Sequence, residues 1–270
     1  VSLVGAVPGV AAGTLAGHPS LRVGEGDPLV VVSGLNDPLC RVGERAFFDA
    51  LVAAYCRRCA RAFDRAVYFV SRPAGLDPDA STRDMARGYA DVLEALDRGV
   101  VLGLSMGGFV AHHLAAERPD LVEAVVFGLA ADCLSPHGAA TVARWREWAD
   151  VGHWLPIYRA GVEAVFAPPV ATLGALAATA YDRVVAAPRA PADFVISASA
   201  CLDHHCTRTL SVPALVVGGT RDPFFSERRF RETARALDAR FARLDGASHR
   251  ALVHRAGEFD AAIGDFLANV

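Results

Sequence analysis

The chain has 270 residues, 53% of them hydrophobic and 21% charged, and a formal net charge of −3. That length suits one large α/β domain carrying an insertion, and the near-balanced charge gives no strong field for nucleic acid, an anionic membrane surface or a highly charged substrate. All 27 basic residues are arginine, which excludes chemistry built on a lysine amine, from Schiff bases to the phosphate-loop lysine.

The opening "VSLVGAVPGVAAGTLAG" is apolar, but it lacks a basic start and a long leucine run and carries Pro8 and several glycines, so it departs from a signal peptide. A cytoplasmic protein is the expectation, and no apolar run is long enough to predict a membrane span. "DPLVVVSG" (27–34) is a β-branched run closed by glycine, the pattern of a buried parallel strand. In "FFDALVAAYCRRCARAF" the apolar spacing is helical throughout. Cys56 and Cys59 are therefore read as two helix cysteines, one of them packed, rather than as a redox or metal pair. Six scattered cysteines are also too few for a disulfide-stapled scaffold.

Strands are predicted again at "AVYFVS" (66–71), at "GVVLGL" (99–104) after the helical "STRDMARGYADVLEAL", at "LVEAVVFG" (121–128), at "VPALVVGG" (212–219) and at "ARFARLD" (239–245). Strands alternating with helices predict a mostly parallel sheet with helices on both faces, and ligands at the carboxyl ends of the strands. The rhythm breaks over 132–208, where several helices and all three tryptophans replace the strands. This divides the chain into a core of 1–131 and 209–270 and a helical cap insertion of 132–208.

Within "VVLGLSMGGFV" (100–110), Gly103-Leu104-Ser105-Met106-Gly107 forms G-x-S-x-G, with Gly108 next. A serine between a strand and a helix occupies a sharp turn that small neighbours make room for. The hydroxyl is then held out above the sheet beside the positive end of the helix. Downstream, "GGTRDPFFS" places Asp222 after a strand, and "LDGASHRALVH" places His249 in a loop after the last one; His254 falls within the following helix. Asp132, after the strand at 121–128, competes for the acid role.

With this order of serine, acid and histidine, the chain resembles the α/β-hydrolase superfamily from about residue 27 onward, outside the insertion. The resemblance implies an α/β-hydrolase fold and a catalytic triad of Ser105, Asp222 and His249, with Asp222 favoured over Asp132. It also implies an oxyanion hole formed by the backbone amides of Met106 and Leu35. Where the family often has His-Gly ahead of the second amide, this chain has Ser33-Gly34, but a backbone donor does not depend on side-chain identity. The expected activity is that of a serine esterase acting on a small, apolar ester or acyl substrate. Acyltransferase, thioesterase, lactonase, carbon–carbon bond hydrolase and cofactor-free haloperoxidase chemistries share this scaffold, as does a non-enzymatic ligand sensor.

Other signals point elsewhere. "CLDHHC" (201–206) lacks the spaced ligand pairs of a zinc site, so no metal is expected, although one of its side chains could line the pocket. His112 and His113 fall on different faces of the helix after Ser105, one of them packed. Trp145, Trp148 and Trp154 read as core of the insertion. No G-x-G-x-x-G opens a helix after a first strand, so no nucleotide cofactor is expected.

Overall fold

A computed structural model describes residues 9–165 and 187–270 of the chain. Eight strands form one sheet: β1 (Val10–Leu15), β2 (His18–Val23), β3 (Pro28–Val32), β4 (Ala66–Val70), β5 (Gly99–Leu104), β6 (Val122–Gly128), β7 (Ala214–Gly219) and β8 (Arg240–Leu244). Their spatial order is β1-β2-β4-β3-β5-β6-β7-β8. The pairs β1–β2 and β2–β4 are antiparallel, and every pair from β4 to β8 is parallel.

The six strands predicted from sequence are β3 to β8. Their apolar runs follow from burial on both faces: Val30, Val32, Val101 and Val125 enter one core, and Leu29, Val31, Val100 and Leu102 the other. The first core is roofed by helices α2 (Thr82–Glu94) and α3 (Met106–Glu117), through Met85, Tyr89, Leu93, Phe109 and Leu114. The second is covered by α1 (Ala46–Phe63), through Ala53, Cys56 and Cys59, and by a C-terminal helix (Ala256–Leu267), through Phe259, Ile263 and Phe266. Both cysteines of the C-x-x-C are packed, not one, because a three-residue spacing puts them on the same buried face.

The β1–β2 hairpin was not predicted. It turns on Ala16 and Gly17, both at positive φ (48° and 80°), the geometry of a two-residue hairpin loop. β1 is exposed along most of its length, so its sequence carries no core-facing pattern.

Between β6 and β7 lie α4 (Pro136–Asp150), α5 (Trp154–Val165) and α6 (Pro191–Leu202). No described residue of the interval 132–208 is a strand, in keeping with the helical reading; its stretch 166–186 lies outside the described residues. Ser135 caps α4 by accepting from the Gly138 amide, and Pro136 starts it where a missing N–H costs nothing. After β7, Ser226 caps α7 (Glu227–Ala236) in the same way through the Arg229 amide.

β3 lies between β4 and β5, so the next two strands of the chain flank it on opposite sides and the direction of winding reverses there. The crevice at the carboxyl ends of β3 and β5 is the place such a topology offers a ligand.

Candidate active site

Ser105 stands at that crevice, between β5 and α3, with φ 54° and ψ −124°. This sparsely populated geometry is held because the strand and helix on either side are pinned. A methyl group on Gly103 would come 2.5 Å from the Gly107 carbonyl oxygen, and one on Gly107 would overlap the Val32 carbonyl oxygen. The first turn of α3 therefore lies directly against both β5 and the end of β3, an approach that glycine alone permits.

His249 follows β8 in a loop, and its Nε2 lies 3.0 Å from Ser105 Oγ. Its Nδ1 lies 2.7 Å from Asp222 Oδ2. Asp222 is buried after β7, where its other oxygen accepts from the amides of Phe224 (2.8 Å) and Phe225 (3.0 Å). Three donors thus converge on the carboxylate and fix its plane, and the two phenylalanines that supply amides also set their rings against His249, at 4.7 and 5.9 Å between centroids. Asp132 stays apart: its Oδ1 accepts from Thr233 and its Oδ2 lies 3.8 Å from Arg229. His254 sits exposed in the short helix Ala251–His254.

A cavity of about 230 Å³ opens beside Ser105 and His249. Leu35 and Met106 both line it, and neither of their amides donates to another described group. The loop bearing Leu35 runs alongside the serine, since a methyl on Gly34 would come 3.4 Å from Ser105 Cβ. The remaining wall is largely apolar: Phe69 and Leu104 from the sheet side, Leu134, Val142 and Trp145 from the interval after β6, and Phe224 and Leu252. Trp145 thus borders the cavity as well as packing in the core. Trp154 packs edge-on against Phe194.

Cys40 and Cys201 also line the cavity, and burial pushes both thiols up to about 12, which keeps them protonated and poor nucleophiles. The one side chain of the "CLDHHC" run that reaches this cavity is therefore Cys201. His204 turns the other way and stacks on Phe109 at 4.0 Å. No group of three or more histidine, cysteine or carboxylate side chains suited to a metal is found among the described residues.

Behind the cavity lies a buried polar network that sequence reasoning missed. The Arg72 guanidinium donates to the carbonyl oxygens of Ser33 (3.1 Å) and Gly34 (2.8 Å), and the Arg72 amide donates to Asp37 (2.8 Å). Arg41 donates to the Arg72 carbonyl (2.8 Å) and to Asp193 in the first turn of α6 (2.7 Å). Asp193 also accepts from the Gly75 and Leu76 amides. An arginine ahead of a proline gives no local sign of this network, which joins the stretch after β3 (33–41), the loop after β4 (72–76) and α6.

A model of the alpha/beta hydrolase family matches residues 29–262. The chain belongs to this family. Solved structures agree at the level of fold. An enol-lactonase from Burkholderia xenovorans LB400 superposes with a TM-score of 0.67 at 21% identity, over 96% of this chain and 100% of that one. An alpha/beta hydrolase enzyme from a Medee basin deep-sea metagenome library gives 0.72 at 14%, over 96% and 98%. A thermophilic esterase from Thermogutta terrifontis gives 0.66 at 19%, over 96% and 98%. At these identities the likeness is one of fold, and the chemistry of this family member must be argued from its own side chains. No helix among its described residues is long and apolar enough to cross a membrane.

Proposed function

We propose that this alpha/beta hydrolase is a cofactor-independent serine hydrolase that cleaves a carboxylic ester or a related acyl compound. The observation that carries the reading is the continuous run of short contacts from Ser105 Oγ through the His249 ring to the Asp222 carboxylate, at the wall of a cavity.

In the proposed reaction Ser105 Oγ adds to the substrate carbonyl carbon while its proton passes to His249 Nε2. The imidazolium returns that proton to the leaving alcohol as the tetrahedral intermediate collapses to an acyl-serine. Water, deprotonated by the same nitrogen, then releases the acid and restores the hydroxyl. Asp222 accepts from His249 Nδ1–H, which fixes the tautomer and stabilises the imidazolium. The amides of Leu35 and Met106 are the proposed oxyanion donors, the second reinforced by its place at the positive end of α3; losing one such donor typically costs about 2.7–4 kcal/mol.

The division into a core (1–131 and 209–270) and a cap (132–208) is part of the same proposal, with α4 closing the cavity through Val142 and Trp145. The leucine and aromatic wall supports a small apolar acyl or alcohol group. A fluorophosphonate probe combined with a panel of nitrophenyl esters of graded acyl length tests the reading. Labelling and turnover are expected for the wild type, and Ser105→Ala should abolish labelling and lower kcat by at least about 10⁴-fold. A wild type that neither labels nor turns over any ester would leave the covered cavity to a ligand sensor instead.

A further inference from the structure

We infer that Arg72 is a positioning residue of the oxyanion site: its buried guanidinium holds the peptide between Gly34 and Leu35 so that the Leu35 N–H faces the reacting carbonyl. The inference rests on the hydrolase reading above.

The argument begins with the peptide group. In a planar trans peptide the carbonyl and the following N–H point in opposite directions, so whatever fixes the Gly34 oxygen also aims the Leu35 amide. The Gly34 oxygen is fixed twice, by Arg72 Nη2 at 2.8 Å and by the Asp37 amide at 3.3 Å. Arg72 Nη1 holds the preceding Ser33 carbonyl at 3.1 Å, so two successive peptides are gripped by one rigid fork. On the opposite side, Leu35 borders the cavity and its N–H has no described partner, while the Gly34 backbone lies against Ser105.

Two features make the fork firm. Arg72 is 1% exposed, and Asp37, which accepts from its amide, keeps a carboxylate oxygen 3.9 Å from its Nε. The Arg72 carbonyl is itself held by Arg41, which is ion-paired to Asp193. A cation on the carbonyl side also draws electron density along the peptide and makes its N–H a stronger donor. The geometry of the oxyanion loop is set here from behind, by the arginine.

The test compares an ester with its thionoester, in which sulfur replaces the carbonyl oxygen. A sulfur anion is a poor hydrogen-bond acceptor, so the rate ratio between the two substrates reports how well the oxyanion donors are placed. That ratio does not depend on the fraction of protein folded. Arg72→Lys and Arg72→Gln should keep KM within about threefold and lower kcat on the ester by about 10- to 100-fold. The ester-to-thionoester ratio should drop by a similar factor, with the lysine variant retaining more activity than the glutamine. An unchanged ratio in folded variants would overturn the inference while leaving the hydrolase reading intact; a wild type without Ser105 labelling or turnover would remove that reading and this inference with it. If neither variant folds, a crystal structure of the wild type carrying a phosphonate on Ser105 decides. The phosphonyl oxygen should lie within about 3.1 Å of the Leu35 nitrogen with Arg72 still on the Gly34 carbonyl, and a Leu35 amide turned away from that oxygen refutes the assignment.

Discussion

Ser105 holds a backbone conformation that costs about 1–3 kcal/mol in isolation and persists because Gly103 and Gly107 let β5, α3 and the end of β3 close around it. The pattern of glycines around a serine is local, so it is visible in the sequence. Asp222 and His249 are visible for a related reason: each sits in a loop directly after a strand whose apolar run marks its end. Arg72 is invisible because its meaning lies in carbonyls nearly forty residues upstream, a contact that no spacing rule encodes. The carboxylate is the residue-scale element of the site open to the cleanest substitution. Asp222→Asn keeps the shape and an oxygen to receive the Phe224 and Phe225 amides, but favours the wrong histidine tautomer. We expect kcat to fall by about 10⁴-fold with the melting temperature little changed. A loss below tenfold on the best ester of the panel would argue that the acid lies elsewhere.

At the scale of elements, what reads easily is what is buried on both faces. The strands β3, β5 and β7 are continuous apolar runs because each lies inside the sheet with helices above and below. The β1–β2 hairpin is hidden for the opposite reason, since β1 is an edge strand held by backbone pairing and its alanines and glycine face solvent. The insertion is legible as helical, but not the way it is fastened. Asp193 in α6, 1% exposed, receives Arg41 and two amides of the loop after β4. Removing one partner of such a buried pair leaves an uncompensated charge, so Asp193→Ala should lower the unfolding free energy by about 3–5 kcal/mol. Replacing Arg41 and Asp193 together by apolar residues should cost less than the sum of the two single changes, because no orphan charge remains. Urea unfolding of the two single variants and the double variant measures this, and simple additivity would show that the pair is not coupled.

For the molecule as a whole, acid should be destabilising through histidines that lie away from the proposed chemistry. His112, His113 and His204 cluster where α3 meets the segment after α6, all nearly fully buried. Burial first, and the neighbouring imidazoles second, push His113 down to about 4 and His204 down to about 3; burial also lowers His112. Glu117 opposes this at His113, while Arg83 and Arg208 add to it. In the unfolded chain each histidine titrates near the ordinary value of about 6.5. Between that pH and about 4 the unfolded state therefore binds more protons than the folded one, and stability falls as pH falls. Above pH 6.5 both states are neutral at these positions and the term vanishes. Each unit of depression is worth about 1.4 kcal/mol, so the cluster alone can remove a few kcal/mol by pH 4. Carboxylates contribute to acid unfolding too, and a variant separates the two. His204→Phe keeps the stack on Phe109, loses the contact with Thr82, and removes one titrating site. Its unfolding free energy should lie below the wild type's at pH 7 and approach or exceed it by pH 4.5. Urea curves collected across that range would show the convergence, and two lines that stay parallel would mean that His204 takes up its proton equally in the folded and unfolded states.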